Sequence, residues 1–169
     1  MRAAPMGTVL RGATAGALGT IGMDLLLYSR YRRDGGSDRF SAWELAAGTE
    51  SWDEAPTPGL VGRRVARDVL HRDPPDSAAA LTTNVVHWAT GCQWGAAYGL
   101  LAAATGRPGV RSGAVLGLVA CSTSYAVLPL LGLYKPIWEY EAATLAKDYR
   151  AHLVFGTVTG VAFWALARS

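Results

Sequence analysis

The sequence predicts an all-α fold: a polytopic membrane protein with a four-transmembrane-helix bundle and short cytoplasmic interfacial helices, forming one domain over residues 1–169. Three observations carry this reading. Half of the residues are hydrophobic and only 17% are charged, against about 25% in an ordinary soluble domain. The charges are also clustered. Arg11 is the one charge between Met6 and Met23, and none occurs from Ser77 through Gly106, from Ser112 to Tyr134 or from Ala151 to Ala167. These stretches approach the ~20 residues that a helix needs to cross a hydrocarbon core. A soluble protein with buried helices is the competing reading, but such helices rarely run so far without a charge.

The first span is read at 7–28. A basic start and an apolar run give it the look of a signal peptide. No small-x-small cleavage pattern follows Leu27, however, and the flank Arg30, Arg32, Arg33 reads as a stop-transfer anchor. The linker 29–78 then carries two helix signals. Ser41-Ala42-Trp43-Glu44 has the capping-box spacing, with Gly48 as a stop. Thr57-Pro58 places a cap and an N1 proline before 60–71. There Val61, Val65 and Val69 share one face while Arg63, Arg64 and Arg67 lie on others, the pattern of a helix resting on an anionic leaflet or of a solvated surface helix. Asp76 is placed to cap the second span, 79–104.

The third span is read at 112–133 and the fourth at 151–167. Between them, linker 134–150 mixes aromatic and charged residues as membrane interfaces do, with Pro136 opening a helix through Leu145. Four spans put both termini on one side and both linkers on the other. The linkers hold eleven basic residues against five elsewhere, so the linker side is cytoplasmic by the positive-inside rule and the termini are extracytoplasmic. Twelve of the 13 acidic residues share those linkers; the thirteenth is Asp24, inside the first span. Cys92 and Cys121 both fall in apolar runs and read as packing residues rather than a disulfide.

Small residues recur at four-residue spacing in every span: Gly12 and Gly16, Gly91 and Gly95, Gly113 and Gly117, Gly156 and Gly160. Such faces let backbones approach closely, within one bundle or between copies of it. In the second span Asn84, His87, Gly91, Trp94 and Tyr98 define one face, polar at its start and aromatic towards its end. Chain direction places Asp24, Asn84, His87, Ser124, Tyr125 and His152 in one depth zone near the cytoplasmic side. A charge at membrane depth needs a partner or water, so Asp24 pairs with His87 or His152, or else reaches Arg30 or Arg32 at the interface. The expectation is a polar cavity open to the cytoplasm, roofed by Trp94 and Tyr98, with Lys135, Trp138 and Glu139 at its mouth and Arg63, Arg64 and Arg67 facing lipid headgroups. Asp24, His87 and His152 have metal-ligand chemistry. No paired-histidine or Cys-His spacing accompanies them, so neither a metal nor a cofactor is expected. A Ser124-His87-Asp24 nucleophile arrangement lacks any nucleophile-elbow pattern.

Asn84-Val85-Val86-His87-Trp88, Leu128-Pro129-Leu130-Leu131-Gly132-Leu133, the segment around Pro136, and Ala151-His152-Leu153-Val154 resemble the YagU-like bacterial inner-membrane proteins, over the C-terminal half. The arginine-rich linker 29–78 departs from that pattern. The resemblance implies a bacterial inner-membrane location and no reaction. The residues themselves leave two classes of function open. One is a small transport or proton- and ion-handling protein, oligomeric because four spans are few for a solo pathway. The other is a non-enzymatic module that binds a lipid, hydrophobic ligand or protein partner through its cytoplasmic linkers. An enzyme acting on a lipid headgroup ranks third. The expected partners are the bilayer, anionic lipid and further copies of the chain, with no nucleic acid.

Overall fold

A computed structural model describes residues 5–46 and 48–168. Among them the chain forms six α-helices and no strand: α1 (Pro5–Arg33), α2 (Phe40–Glu44), α3 (Thr57–Asp68), α4 (Ala79–Thr105), α5 (Val110–Val127) and α6 (Ala142–Leu166). The four long helices run antiparallel in the order α4, α1, α6, α5, with α3 packed on the first half of α4. The helical-bundle part of the expectation is thus correct. Among the described residues one helix, Val110–Val127, is long and apolar enough on its own to cross a membrane. The other three long helices fall short because their charge-poor runs are rich in glycine, alanine and threonine, or include Arg11, Asp24, Lys147 and Asp148.

The glycine pairs explain the helix crossings. A Cβ on Gly16 would lie 2.2 Å from the Gly91 carbonyl oxygen, so α1 and α4 meet backbone to backbone. A Cβ on Gly113 would lie 2.3 Å from the Gly156 carbonyl oxygen, and α5 meets α6 in the same way. The small faces therefore serve contacts inside one chain, the first of the two uses open to them. The remaining core is compact, with Ala15, Tyr98, Leu116, Phe155 and Phe163 buried together. Tyr98 closes the end away from the linkers, accepting from Gly109 N–H at 3.0 Å and meeting Ser112 Oγ at 2.8 Å.

Several local expectations need correction. Ser41 makes no cap: Arg39 precedes α2 with no side-chain cap bond, and the helix ends at Glu44. Helix α3 begins at Thr57 and ends at Asp68, with Pro56 in the cap position. Its valine face is split, for Val61 lines a cavity while Val65 and Val69 are exposed. Asp76 accepts from Trp52 N–H at 3.4 Å, drawn away from any capping role by the loop that Trp52 anchors. That tryptophan is buried with Ala55 and Ala79, and its Nε1–H donates to the Pro74 carbonyl at 2.9 Å. The third helix stops at Val127, because Pro129 and left-handed Gly132 turn the chain before 133. Pro136 opens only a 3-10 turn, and the last helix starts early, at Ala142, so 142–150 joins 151–166 in one element.

Candidate functional site

Helices α4 and α5 touch sparingly, and between them lies a cavity of about 700 Å³. Its base is Thr20 and Asp24 from α1, His87, Gly91 and Trp94 from α4, Ser124 from α5, and His152 and Phe155 from α6. Its rim is the linker: Trp43, Glu44, Ala46, Pro56, Thr57 and Val61. The cavity thus opens on the side where both linkers lie.

Asp24 is buried, with 2% of its surface exposed. His87 Nε2–H donates to Asp24 Oδ2 at 2.9 Å. Asp24 does not reach the interfacial arginines: Arg30 donates to the Lys147 carbonyl at 3.2 Å and Arg32 to the Asp38 carbonyl at 3.4 Å. Pairing of Asp24 with His87 follows from the crossing itself: Gly16 against Gly91 brings the next turns of α1 and α4 side by side.

Glu44 is the residue that sequence reasoning missed. In the sequence it is the acidic end of a capping-box pattern. An aromatic cluster puts it into the cavity: Phe40 packs edge-on against Tyr28 at 5.2 Å, and Trp43 lies 5.5 Å from Tyr28 and 6.1 Å from Tyr31. Both tyrosines are on the last turns of α1, so α2 folds back over Asp24. Tyr28 OH donates to the Asp38 carbonyl at 2.9 Å and Tyr31 OH to the Asp38 carboxylate at 2.6 Å, fixing the intervening turn. Asn84 Nδ2–H then donates to the Leu45 carbonyl at 2.8 Å, tying the end of α2 to α4. The legible signal is an acid in an aromatic segment just beyond a helix that holds another acid.

Asp24, Glu44 and His87 each offer one ligating atom, and the three atoms lie within 4.8 Å of one another. Burial, reinforced by the Asp24 charge and partly offset by His87, pushes the Glu44 carboxyl up to about 7. Glu44 Oε1 and Thr83 Oγ1 are buried without a hydrogen-bond partner, the two such atoms among the described residues, and both residues line this cavity.

Of the other expected site residues, Ser124 and His152 do line the cavity. Ser124 Oγ–H is turned to the Ala120 carbonyl at 3.2 Å, and His152 Nδ1 is bonded to the Asp148 carbonyl at 2.9 Å. Asn84 and Tyr125 stand outside its walls: Asn84 is the tether just described, and Tyr125 OH donates to the Asp148 carboxylate amid the rings of Tyr134, Tyr140 and Tyr149. Lys135, Trp138 and Glu139 do not form the mouth: all three are exposed, and from this linker Tyr134 and Asp148 line the cavity instead. Two of the headgroup arginines are engaged already: Arg63 with Asp73 at 3.2 Å, above the Trp52 ring, and Arg64 with Asp68. Arg67 is exposed. No family model, curated protein or solved structure matches the chain.

Proposed function

We propose that the chain is a membrane-embedded four-helix bundle that takes up a cation from its linker side. The observation that carries this is the buried Asp24–His87 pair at the base of a one-sided cavity, with the Glu44 carboxyl facing it. A buried acid in a membrane bundle is costly unless it is paired or wetted, and acids held in this way mark ion and proton pathways.

Membrane embedding is supported by the distribution of side chains. Leu10, Leu18, Ile21 and Leu25 point outward from α1, Leu100 and Leu101 from α4, Val115, Leu118 and Val119 from α5, and Val161 and Trp164 from α6. Glycine, alanine and threonine fill much of the interior. Large apolar groups outside and small ones between the helices is the arrangement lipid favours and water opposes. The inner-membrane location, with the linkers cytoplasmic and the termini outside, accords with the arginine count. The resemblance to the YagU-like group adds the same location.

Liposomes containing the purified chain should pass the cation down an imposed gradient, and Asp24→Asn should reduce that flux to the protein-free leak. Equal flux from the wild type and a folded Asp24→Asn variant would rule the reading out. A second reading, capture of a hydrophobic ligand, is favoured by the cavity volume and its Met23, Leu27, Val86, Trp94 and Phe155 walls. It predicts a lipid or other apolar molecule that co-purifies with the chain and is lost in Trp94→Ala.

A further inference from the structure

We propose that Asp24, Glu44 and His87 form a mononuclear site for a divalent first-row transition metal ion of the class Mn²⁺, Fe²⁺, Co²⁺ or Zn²⁺. This deepens, and rests on, the cation-handling reading by naming the cation.

Geometry is the first support. Three different elements deliver one ligating atom each to one point, from positions 63 residues apart in the case of Asp24 and His87. With bonds of ~2.1 Å, ligands at right angles stand about 3.0 Å apart and opposed ligands about 4.2 Å. The 2.9 Å between His87 Nε2 and Asp24 Oδ2 already suits adjacent positions. All three atoms lie within 4.8 Å of one another, close to the span of opposed ligands.

Charge is the second. Two carboxylates beside a neutral imidazole carry two negative charges, which a divalent ion cancels. Without it, two acids share a pocket in which Asp24 is almost wholly withdrawn from water, and buried like charges are strongly unfavourable. The third support is independent of both. Native proteins rarely leave buried polar atoms unpaired, yet Glu44 Oε1 and Thr83 Oγ1 are both unmet in this one cavity. An ion on Glu44 satisfies the first. Thr83 Oγ1 faces Gly59 on α3, where a Cβ would lie 2.3 Å from it, so this support rests on Glu44.

Donor chemistry narrows the class. An imidazole in the set disfavours Ca²⁺ and Mg²⁺, which take oxygen ligands, and the absence of a thiolate from it disfavours Cu⁺. Three protein ligands leave coordination positions open towards the cavity, as exchangeable rather than structural sites do.

The test uses the full chain in detergent micelles, stripped with a chelator and titrated calorimetrically with ZnCl₂, MnCl₂ and MgCl₂. Wild type should bind one Zn²⁺ or Mn²⁺ per chain in a saturable step. Glu44→Gln and His87→Gln should each weaken that binding at least tenfold, while Glu139→Gln, on the exposed turn, should not. Thermal unfolding of each metal-free variant verifies its fold, and Glu44→Gln, on the short rim helix, keeps the test valid if His87→Gln is unstable. No saturable binding by wild type, wild-type affinity in folded Glu44→Gln, or equal affinity for Mg²⁺ would overturn the proposal. Saturable binding without flux in liposomes retains the site and removes transport. Flux that needs no added metal and survives Glu44→Gln removes the site and retains cation handling.

Discussion

Glu44 concentrates the chemistry of this protein into one side chain. Its carboxyl is held near 7 chiefly by burial and then by Asp24, against 4.5 for a free glutamate. Between those two values the metal-free folded chain keeps a proton that the unfolded chain has released. The folded state then binds more protons than the unfolded state, so stability must fall as pH rises. The contribution is fully present below pH 4.5 and gone above about 7. Thermal unfolding in chelator across this window should show that decline in wild type and a flatter profile in Glu44→Gln; parallel profiles would contradict the assignment. Asn84 acts on the same carboxyl at one remove. Its amide bond to the Leu45 carbonyl ends α2 beside α4, and a hydrogen bond of this kind contributes about 1 kcal/mol. Asn84→Ala should weaken metal affinity severalfold while Ser124→Ala, whose hydroxyl is spent on its own helix, should leave it unchanged. Asp24 and His87 were legible from residue types and chain direction alone. Glu44 was not, because its position depends on rings of Tyr28 and Tyr31 that belong to another helix.

At the scale of elements, the glycine spacing was the most informative sequence feature. It marked both crossings, and what it left open was whether the partner was the same chain or another copy. The structure pairs Gly12 and Gly16 with Gly95 and Gly91, and Gly113 and Gly117 with Gly156 and the His152 backbone. A valine at Gly16 would drive its Cβ into the Gly91 carbonyl at 2.2 Å. The obstacle is backbone, which cannot rotate aside, so Gly16→Val should cost about 3 kcal/mol, the upper end of ordinary overpacking. Because Asp24 lies about two turns from Gly16 and His87 about one turn from Gly91 on the same pair of helices, the variant should also lose metal binding. Gly7→Val, with open space around it, should change neither. Linker elements were harder to read. Capping boxes and proline positions describe local preference, and here Trp52, Trp43 and the tyrosines override them through long-range contacts. That is why Ser41 and Asp76 do not cap, and why Trp43 and Pro56, not Lys135, Trp138 and Glu139, form the mouth.

At the scale of the whole molecule, an apolar exterior surrounds a small-residue interior and an acid-lined cavity that faces the folded linkers. Under the proposed function this bundle crosses a membrane four times; among the described residues composition and length single out one such helix, Val110–Val127. The most direct test is side-specific labelling. Single cysteines at Asp53, Glu139 and Arg107, in a chain carrying Cys92→Ala and Cys121→Ala, are exposed to a membrane-impermeant thiol reagent in sealed vesicles of known orientation. The account predicts that Asp53→Cys and Glu139→Cys react from the cytoplasmic side alone and Arg107→Cys from the opposite side alone. Reaction of all three from one side, or recovery of the chain in the soluble fraction, would contradict it.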